Sequence, residues 1–357
     1  MTVQLIHALT SNESFMQSHE IVLIAPINKA HFINQWEFKG VRVKRIPLPA
    51  RVIAGLVKFR LVPPVDIFFG KGVYLFPNFR NVPLLFSKSI TYIHDVSFKV
   101  HPEFVESKNF VFLNKHVKTW MKRADVIVTV SNHAKQEISR YFADMASKTR
   151  VVYNGINHTY KPLDEVQTHS VLESYELTYK RYFIFLSNLE PRKNIDGLLN
   201  AYKTFIANVE HDEVKLLIVG GMGWKNEPIL AEINKINQVS EKVVLPKHYV
   251  SDSELPALIS GAAALVHPAH YEGFGISPLQ AMACGTQVMV ANNSSLPEVV
   301  GDAGVYVDAS DPDSILKALM QVYDSRYELN EAGINRAKAF NWDKSAKQII
   351  EIVESLE

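Results

Sequence analysis

Short runs of β-branched and other apolar residues alternate with amphipathic stretches of helical length along nearly the whole chain. This is the pattern of parallel sheets covered by helices on both faces. The first half predicts strands at Ile21–Ala25, Val41–Ile46, Val65–Phe69, Ile90–Ile93, Val126–Val130 and Val151–Tyr153, with helices at Ser107–Arg123 and Asn132–Phe142. The second half predicts strands at Tyr182–Ser187, Val214–Val219, Val243–Leu245, Ala262–Val266, Gln287–Val290 and Val305–Val307. A turn at Asn154-Gly155 followed by the polar stretch Lys161–Tyr179 marks a boundary, with domains at 1–165 and 166–340 and a terminal helix at 341–357. A length of 357 residues suits two such domains facing a cleft.

With 47% apolar and 21% charged residues the chain is neither a disordered tail nor a stapled miniature. Its one cysteine, Cys284, reads as a packed helix end, which fits a reducing, cytoplasmic setting. The opening residues show no signal-peptide pattern, and Pro and Gly break the longest uncharged stretches, so no membrane span is expected. The net charge of +1 conceals an asymmetry. Residues 1–165 carry 22 Lys and Arg against 12 acids, whereas residues 166–357 carry 16 against 25. A basic half can draw an anionic membrane or acceptor. In it, Arg42, Lys44, Arg45, Arg51, Lys58 and Arg60 sit among apolar residues, a stretch that suits either an anionic bilayer or an ordinary solvated helix face.

The most informative run, His267 to Gly285 (HPAHYEGFGISPLQAMACG), leaves a buried strand, passes Gly273 and Gly275, and enters a helix. Ser277 is expected as N-cap with Pro278 at the first helical position. The free N–H groups and positive dipole end of such a helix suit a phosphate, and Glu272 can accept hydrogen bonds from sugar hydroxyls. At the start of the second sheet, YFIFLSNLEPRKNIDGLL runs from a strand through Arg192 and Lys193 into a helix expected to be capped by Asn194. Two cations at a strand end can neutralise a diphosphate. Solvated loop residues are the plainer alternative for each segment.

These residues resemble the retaining family 4 glycosyltransferases of GT-B architecture, which move a sugar from a nucleotide diphosphate to an acceptor. The likeness is carried by YIHDVSF with HPE, VIVTVSNHAK, VVYNGIN, FLSNLEPRKN, VVLPKHYVSDSEL, ALVHPAHYEGFGISPLQAMACGT and SSLPEVVGDAG, in family order over roughly residues 60–345. It implies two Rossmann-like, doubly wound α/β domains. It also implies a catalytic pair, His94 beside the donor sugar and Glu272 on its hydroxyls, with Lys193 on the diphosphate. The Gly275-Ile276-Ser277 backbone would cradle phosphate oxygens, Phe274 would join the donor site, Tyr249 and Val250 would meet the base through their backbone, and Glu298 would line the last loop.

The chain departs from the family pattern in three places. Gln280 stands where a second Glu usually bonds the ribose, which implies a weaker neutral contact or simply a capping box with Ser277. Ser187-Asn188 stands where Gly-Arg is common, so Arg192 would have to supply the missing cation. MTVQLIHALTSNESF reads as the first helix, so the first strand and glycine loop of the family fold are expected to be missing. The terminal helix, with Ala346, Ile349, Ile350 and Val353 in a stripe, would cross back onto the first domain.

The resemblance implies a hexosyltransferase of surface-polysaccharide synthesis, with GDP-mannose as the first choice of donor and a glycan or lipid-linked glycan as acceptor. It needs no metal or cofactor and no nucleic-acid partner, and places the protein in the cytoplasm with peripheral contact at the inner membrane face. A non-catalytic nucleotide-sugar-binding scaffold and an epimerase of the same architecture are the alternatives.

Overall fold

The computed structural model describes residues 1–29, 33, 36, 38–58, 61–209 and 213–357. They form two compact units. One comprises Met1–Val96, Val111–Gly155 and Asn341–Glu357, the other Ser97–Phe110 and Ile156–Phe340.

The first unit opens on helix Thr2–Thr10, which buries Leu5, Ile6, Ala8 and Leu9 on one face. That face packs against the terminal helix Trp342–Glu354, whose own buried stripe is Ser345, Ala346, Ile349 and Ile350. Asn12 caps the following helix Glu13–Ser18 by accepting the Phe15 amide at 3.0 Å. Two parallel sheets follow. Among the described residues, strands β1 (Val22–Pro26) and β2 (Arg42–Ile46) pair only with each other. Strands β3 (Val73–Phe76), β4 (Lys88–Tyr92), β5 (Val126–Thr129) and β6 (Thr149–Val151) form a sheet in sequential order. The segment read as the first helix is helical, as expected, and the first strand among the described residues is β1.

The predicted strand Val65–Phe69 is instead a turn of helix, Asp66–Phe69. Its cause is long-range. The buried Asp66 carboxylate accepts the backbone N–H groups of Leu85, Phe86 and Ser87 at 2.6–3.0 Å, which fixes the turn and leaves the next run, β3, to make the strand. Of the six cations singled out in the basic stretch, Arg60 lies outside the described residues.

The second unit is built on a six-stranded parallel sheet in the order β12-β11-β10-β7-β8-β9. Its strands are β7 (Tyr182–Leu186), β8 (Lys215–Val219), β9 (Val243–Val244), β10 (Ala264–His267), β11 (Gln287–Ala291) and β12 (Val305–Val307). The central strands β7 and β10 are buried at every residue, as apolar runs in a doubly covered sheet should be, with His267 the polar residue that closes β10. The chain builds outward from β7 through β8 to β9, then returns to the other side of β7 with β10. The strand order therefore reverses between β7 and β10, and the crevice beyond their carboxyl ends is where open α/β sheets bind ligands. The polar stretch Lys161–Tyr179, read as irregular, contains helix Glu165–Ser174, started by a capping box between Asp164 and Gln167. Cys284 is buried at the end of helix Ile276–Ala283, as expected.

Candidate active site

The loops that leave β7 and β10 carry the charged residues the sequence singled out, and they meet at the switch point. A single turn of 3-10 helix, Pro191–Lys193, brings Arg192 and Lys193 over the end of the sheet. The Lys193 ammonium donates to Glu272 Oε1, and His267 Nε2, at the end of β10, lies 2.6 Å from the same oxygen. Arg192 donates to Glu190 Oε1 at 2.7 Å and to the Tyr271 carbonyl at 2.8 Å, and stands 3.6 Å from Glu272 Oε2. Burial alone would push the Glu272 carboxyl up. Lys193, then His267 and Arg192, more than offset this and hold it well below the usual carboxylate range, so it is an anion at neutral pH. Burial keeps His267 below its ordinary value and neutral. The Glu272 backbone is fixed as well: its N–H donates to Ser294 Oγ and its carbonyl accepts Ser295 Oγ–H, both at 2.9 Å.

Helix Ile276–Ala283 starts two residues earlier than expected, with Gly275 as N-cap at φ 102°, a left-handed conformation suited to glycine. Ser277 is therefore inside the first turn and is not the cap; its hydroxyl donates to the Leu186 carbonyl at the end of β7 at 2.8 Å. No capping box with Gln280 forms, because the Gln280 amide donates to the Tyr160 hydroxyl at 2.7 Å. Asn194 is the N-cap of helix Ile195–Asn208 by position, but its side chain makes no cap hydrogen bond. In the left-handed conformation it donates instead to the carbonyls of Pro268 and Ala309, tying the ends of β10 and β12 together.

The remaining positions fall around the same sheet end. Asn188 is exposed after β7 and accepts the Gly221 amide at 3.0 Å. Tyr249 is exposed, Val250 is buried, and Phe274 is buried edge-on against Phe340. Glu298 lies in helix Leu296–Val300, its carbonyl accepting from Arg336 at 2.6 Å.

His94 belongs to the first unit, just after β4. Its Nε2 lies 3.1 Å from the Pro77 carbonyl, between the rings of Phe79 and Tyr92. A carbonyl only accepts, so Nε2 carries the proton and Nδ1 the lone pair. Burial lowers its pKa and keeps it neutral.

Sequence reasoning missed His267 and Glu190. His267 closes the strand Ala264–His267 after three apolar residues and Glu190 follows β7 within four residues; both are buried, and a polar residue at the end of an apolar run was the available signal.

This arrangement, a parallel α/β sheet whose switch point gathers two cations, an ionised carboxylate and a glycine-started helix, is that of a nucleotide-sugar transferase. The chain belongs to the family 4 glycosyltransferases. Residues 15–160 match Glycosyltransferase Family 4, and residues 173–340 match Glycosyl transferases group 1. The chain is 33% identical over 281 residues to the O-antigen chain mannosyltransferase B of Escherichia coli, covering 78% of this chain and 73% of that one. It is 29% identical to the O-antigen chain mannosyltransferase RfbU of Salmonella typhimurium, covering 72% and 67%. The structure of Anabaena Alr3699/HepE in complex with UDP and glucose superposes with a TM-score of 0.70 at 15% identity, covering 100% of this chain and 96% of that one, a likeness of fold. The protein is thus a glycosyltransferase of GT-B architecture.

Proposed function

We propose that the enzyme transfers mannose from GDP-mannose, with retention of configuration, to a glycan or lipid-linked glycan in the synthesis of a surface polysaccharide. The observation that carries this reading is the Lys193–Glu272–His267 cluster at the β7/β10 switch point. The mannosyltransferase relatives support the choice of sugar.

In the structure Glu272 Oε1 receives both Lys193 and His267, while Arg192 stands 3.6 Å from Oε2, beyond hydrogen-bond reach. Oε2 is the oxygen we assign to a sugar hydroxyl. As the donor enters, its phosphate oxygens draw Lys193 away from Glu272, and Arg192 and the amides at the start of helix Ile276–Ala283 add positive potential. The bond from the anomeric carbon to the phosphate oxygen breaks, and the acceptor oxygen bonds to that carbon on the face the diphosphate leaves. The acceptor proton passes to the departing phosphate. To Asn188, Phe274, Gln280, Tyr249, Val250 and Glu298 we assign donor contacts, and to His94 the orientation of the sugar.

We further propose that the first unit rests on anionic lipid at the cytoplasmic face. No helix among the described residues is long and apolar enough to cross a membrane. Ile67, Phe68, Leu85 and Phe86 are each more than half exposed, on two segments joined by the Asp66 carboxylate, and Lys44 bonds the Phe69 carbonyl at 3.0 Å. Apolar side chains beside cations suit such a surface.

A melting screen with GDP, UDP, dTDP, ADP and their sugars tests the donor, because a ligand at 100 times its dissociation constant stabilises by ~2.7 kcal/mol. GDP and GDP-mannose should respond and Lys193→Ala should abolish the shift. A response confined to another base overturns the donor assignment. An inverted anomer in the NMR spectrum of the product overturns retention.

A further inference from the structure

A second hollow opens at the carboxyl ends of β11 and β12, with a volume of about 680 Å³ and walls drawn entirely from the second unit. That lies within the ~300–1,000 Å³ of ordinary small-ligand sites. Glu103, Phe104, His270, Asn292, Tyr306 and Asp308 define its character, and no lysine or arginine lines it.

Its chemistry is that of a neutral polyol site. The Glu103 carboxyl, bonded to its own backbone amide and to His101 at 3.0 Å, is held below the usual range and is an anion. Asp308 accepts the Ser310 amide at 2.8 Å and is exposed. His270 is kept below its ordinary value by burial and by His101, and is neutral at pH 7. Two carboxylates without a facing cation repel an anion, and no group of three acidic, histidine or cysteine side chains among the described residues could hold a metal ion. Hydroxyl groups suit the carboxylates as donors, and the exposed Asn292 amide can both donate and accept. Phe104 and His270 stack with ring centroids 5.2 Å apart and planes 10° apart. The Tyr306 hydroxyl is already engaged with the Gly301 carbonyl, which leaves its ring as a further apolar surface for C–H groups.

The hollow is also wired to the reaction centre. Asn293, in its wall, accepts Ser294 Oγ–H at 2.9 Å, and Ser294 Oγ in turn accepts the Glu272 amide. The His270 amide donates to the Arg192 carbonyl at 2.9 Å. We propose that this hollow is a saccharide subsite that holds the neutral sugar rings of the acceptor glycan. The assignment to the acceptor rests on the transferase function proposed above; the assignment to a saccharide stands on the hollow itself.

Saturation-transfer NMR on the full chain with mannotriose, maltotriose and chitotriose, without nucleotide, tests it. At least one should show transfer, and the double variant Glu103→Ala/Asp308→Ala should weaken its binding at least tenfold. Both side chains are exposed, so the variant should keep a cooperative melt. In transfer assays the same variant should raise KM for the acceptor by a similar factor, a split that a loss of folding would not give. Silence from all three saccharides, or a signal the double variant does not alter, overturns the subsite. A saccharide signal without any response to nucleotide sugars would leave the subsite standing and overturn the donor reading.

Discussion

His267 donates from Nε2 to Glu272 Oε1 across 2.6 Å, while its buried Nδ1 has no hydrogen-bond partner among the described residues. A carboxylate can only accept, so this contact fixes the tautomer of the histidine and one oxygen of the acid together. The other oxygen, 3.6 Å from Arg192, is the one assigned above to a sugar hydroxyl.

Glu272→Gln keeps the shape and removes the charge. Transfer should fall about 100-fold or more, the usual scale for a group that stabilises the transition state. Loss of the partner of Lys193 should lower stability on the order of 3–5 kcal/mol. Because the folded-state pKa of Glu272 is depressed, its contribution is present above the unfolded value and disappears as pH falls through the folded one. Melting curves of the two proteins should therefore converge in acid.

Gln280→Glu should tighten donor binding by about fivefold to tenfold, since a charge-assisted hydrogen bond to ribose replaces a neutral one. The Tyr160 hydroxyl, which now accepts from Gln280, can rotate to donate to the new carboxylate. Unchanged affinity by calorimetry would assign Gln280 to packing alone.

Lys180 is buried, with its ammonium on the carbonyls of Ser260 and Ala262, and burial brings its pKa down to about 8 from 10.5. Between those values the unfolded chain binds more protons than the folded one, so this residue makes stability rise with pH, by on the order of 2–4 kcal/mol across the window. Urea unfolding over that range should show the rise in the parent and a smaller one in Lys180→Met.

Gly220 follows β8, and a Cβ there would lie 1.9 Å from the Ser187 carbonyl oxygen. Gly220→Ala must force the ends of β7 and β8 apart, at a cost of about 1–3 kcal/mol or more, and should weaken nucleotide binding. Gly72→Ala, with open space around the added carbon, is the control and should melt like the parent.

Flotation with vesicles tests the lipid contact. The protein should rise with vesicles containing phosphatidylglycerol and not with pure phosphatidylcholine, and Phe68→Ser with Phe86→Ser should reduce the bound fraction severalfold. Equal absence of binding to both vesicles rejects the contact.

The sheet strands of the second unit were legible because a doubly covered parallel strand such as Tyr182–Leu186 has no polar alternation to confuse it. Arg192, Lys193 and Glu272 were legible as charges beside strand ends. What the sequence hid depends on distant partners. The run at Val65 resembles a strand until Asp66 meets the amides of residues 85–87. Helix Glu165–Ser174 buries only Thr168 and Leu172, too little to show a period. Asn194 and Ser277 carry the composition of helix caps, but better acceptors in neighbouring loops and strands claim their side chains.

The packing of Thr2–Thr10 on Trp342–Glu354 sets an order of events during synthesis. Domains fold as units while translation adds about 5–20 residues per second. The strands of the second unit emerge in one uninterrupted stretch and can assemble as soon as they appear. The opening helix must wait through all of that stretch for the last helix, with Leu5, Ile6 and Leu9 uncovered. The burial of residues 2–10 thus waits on residues 342–354, long after the strands of the second unit have left the ribosome.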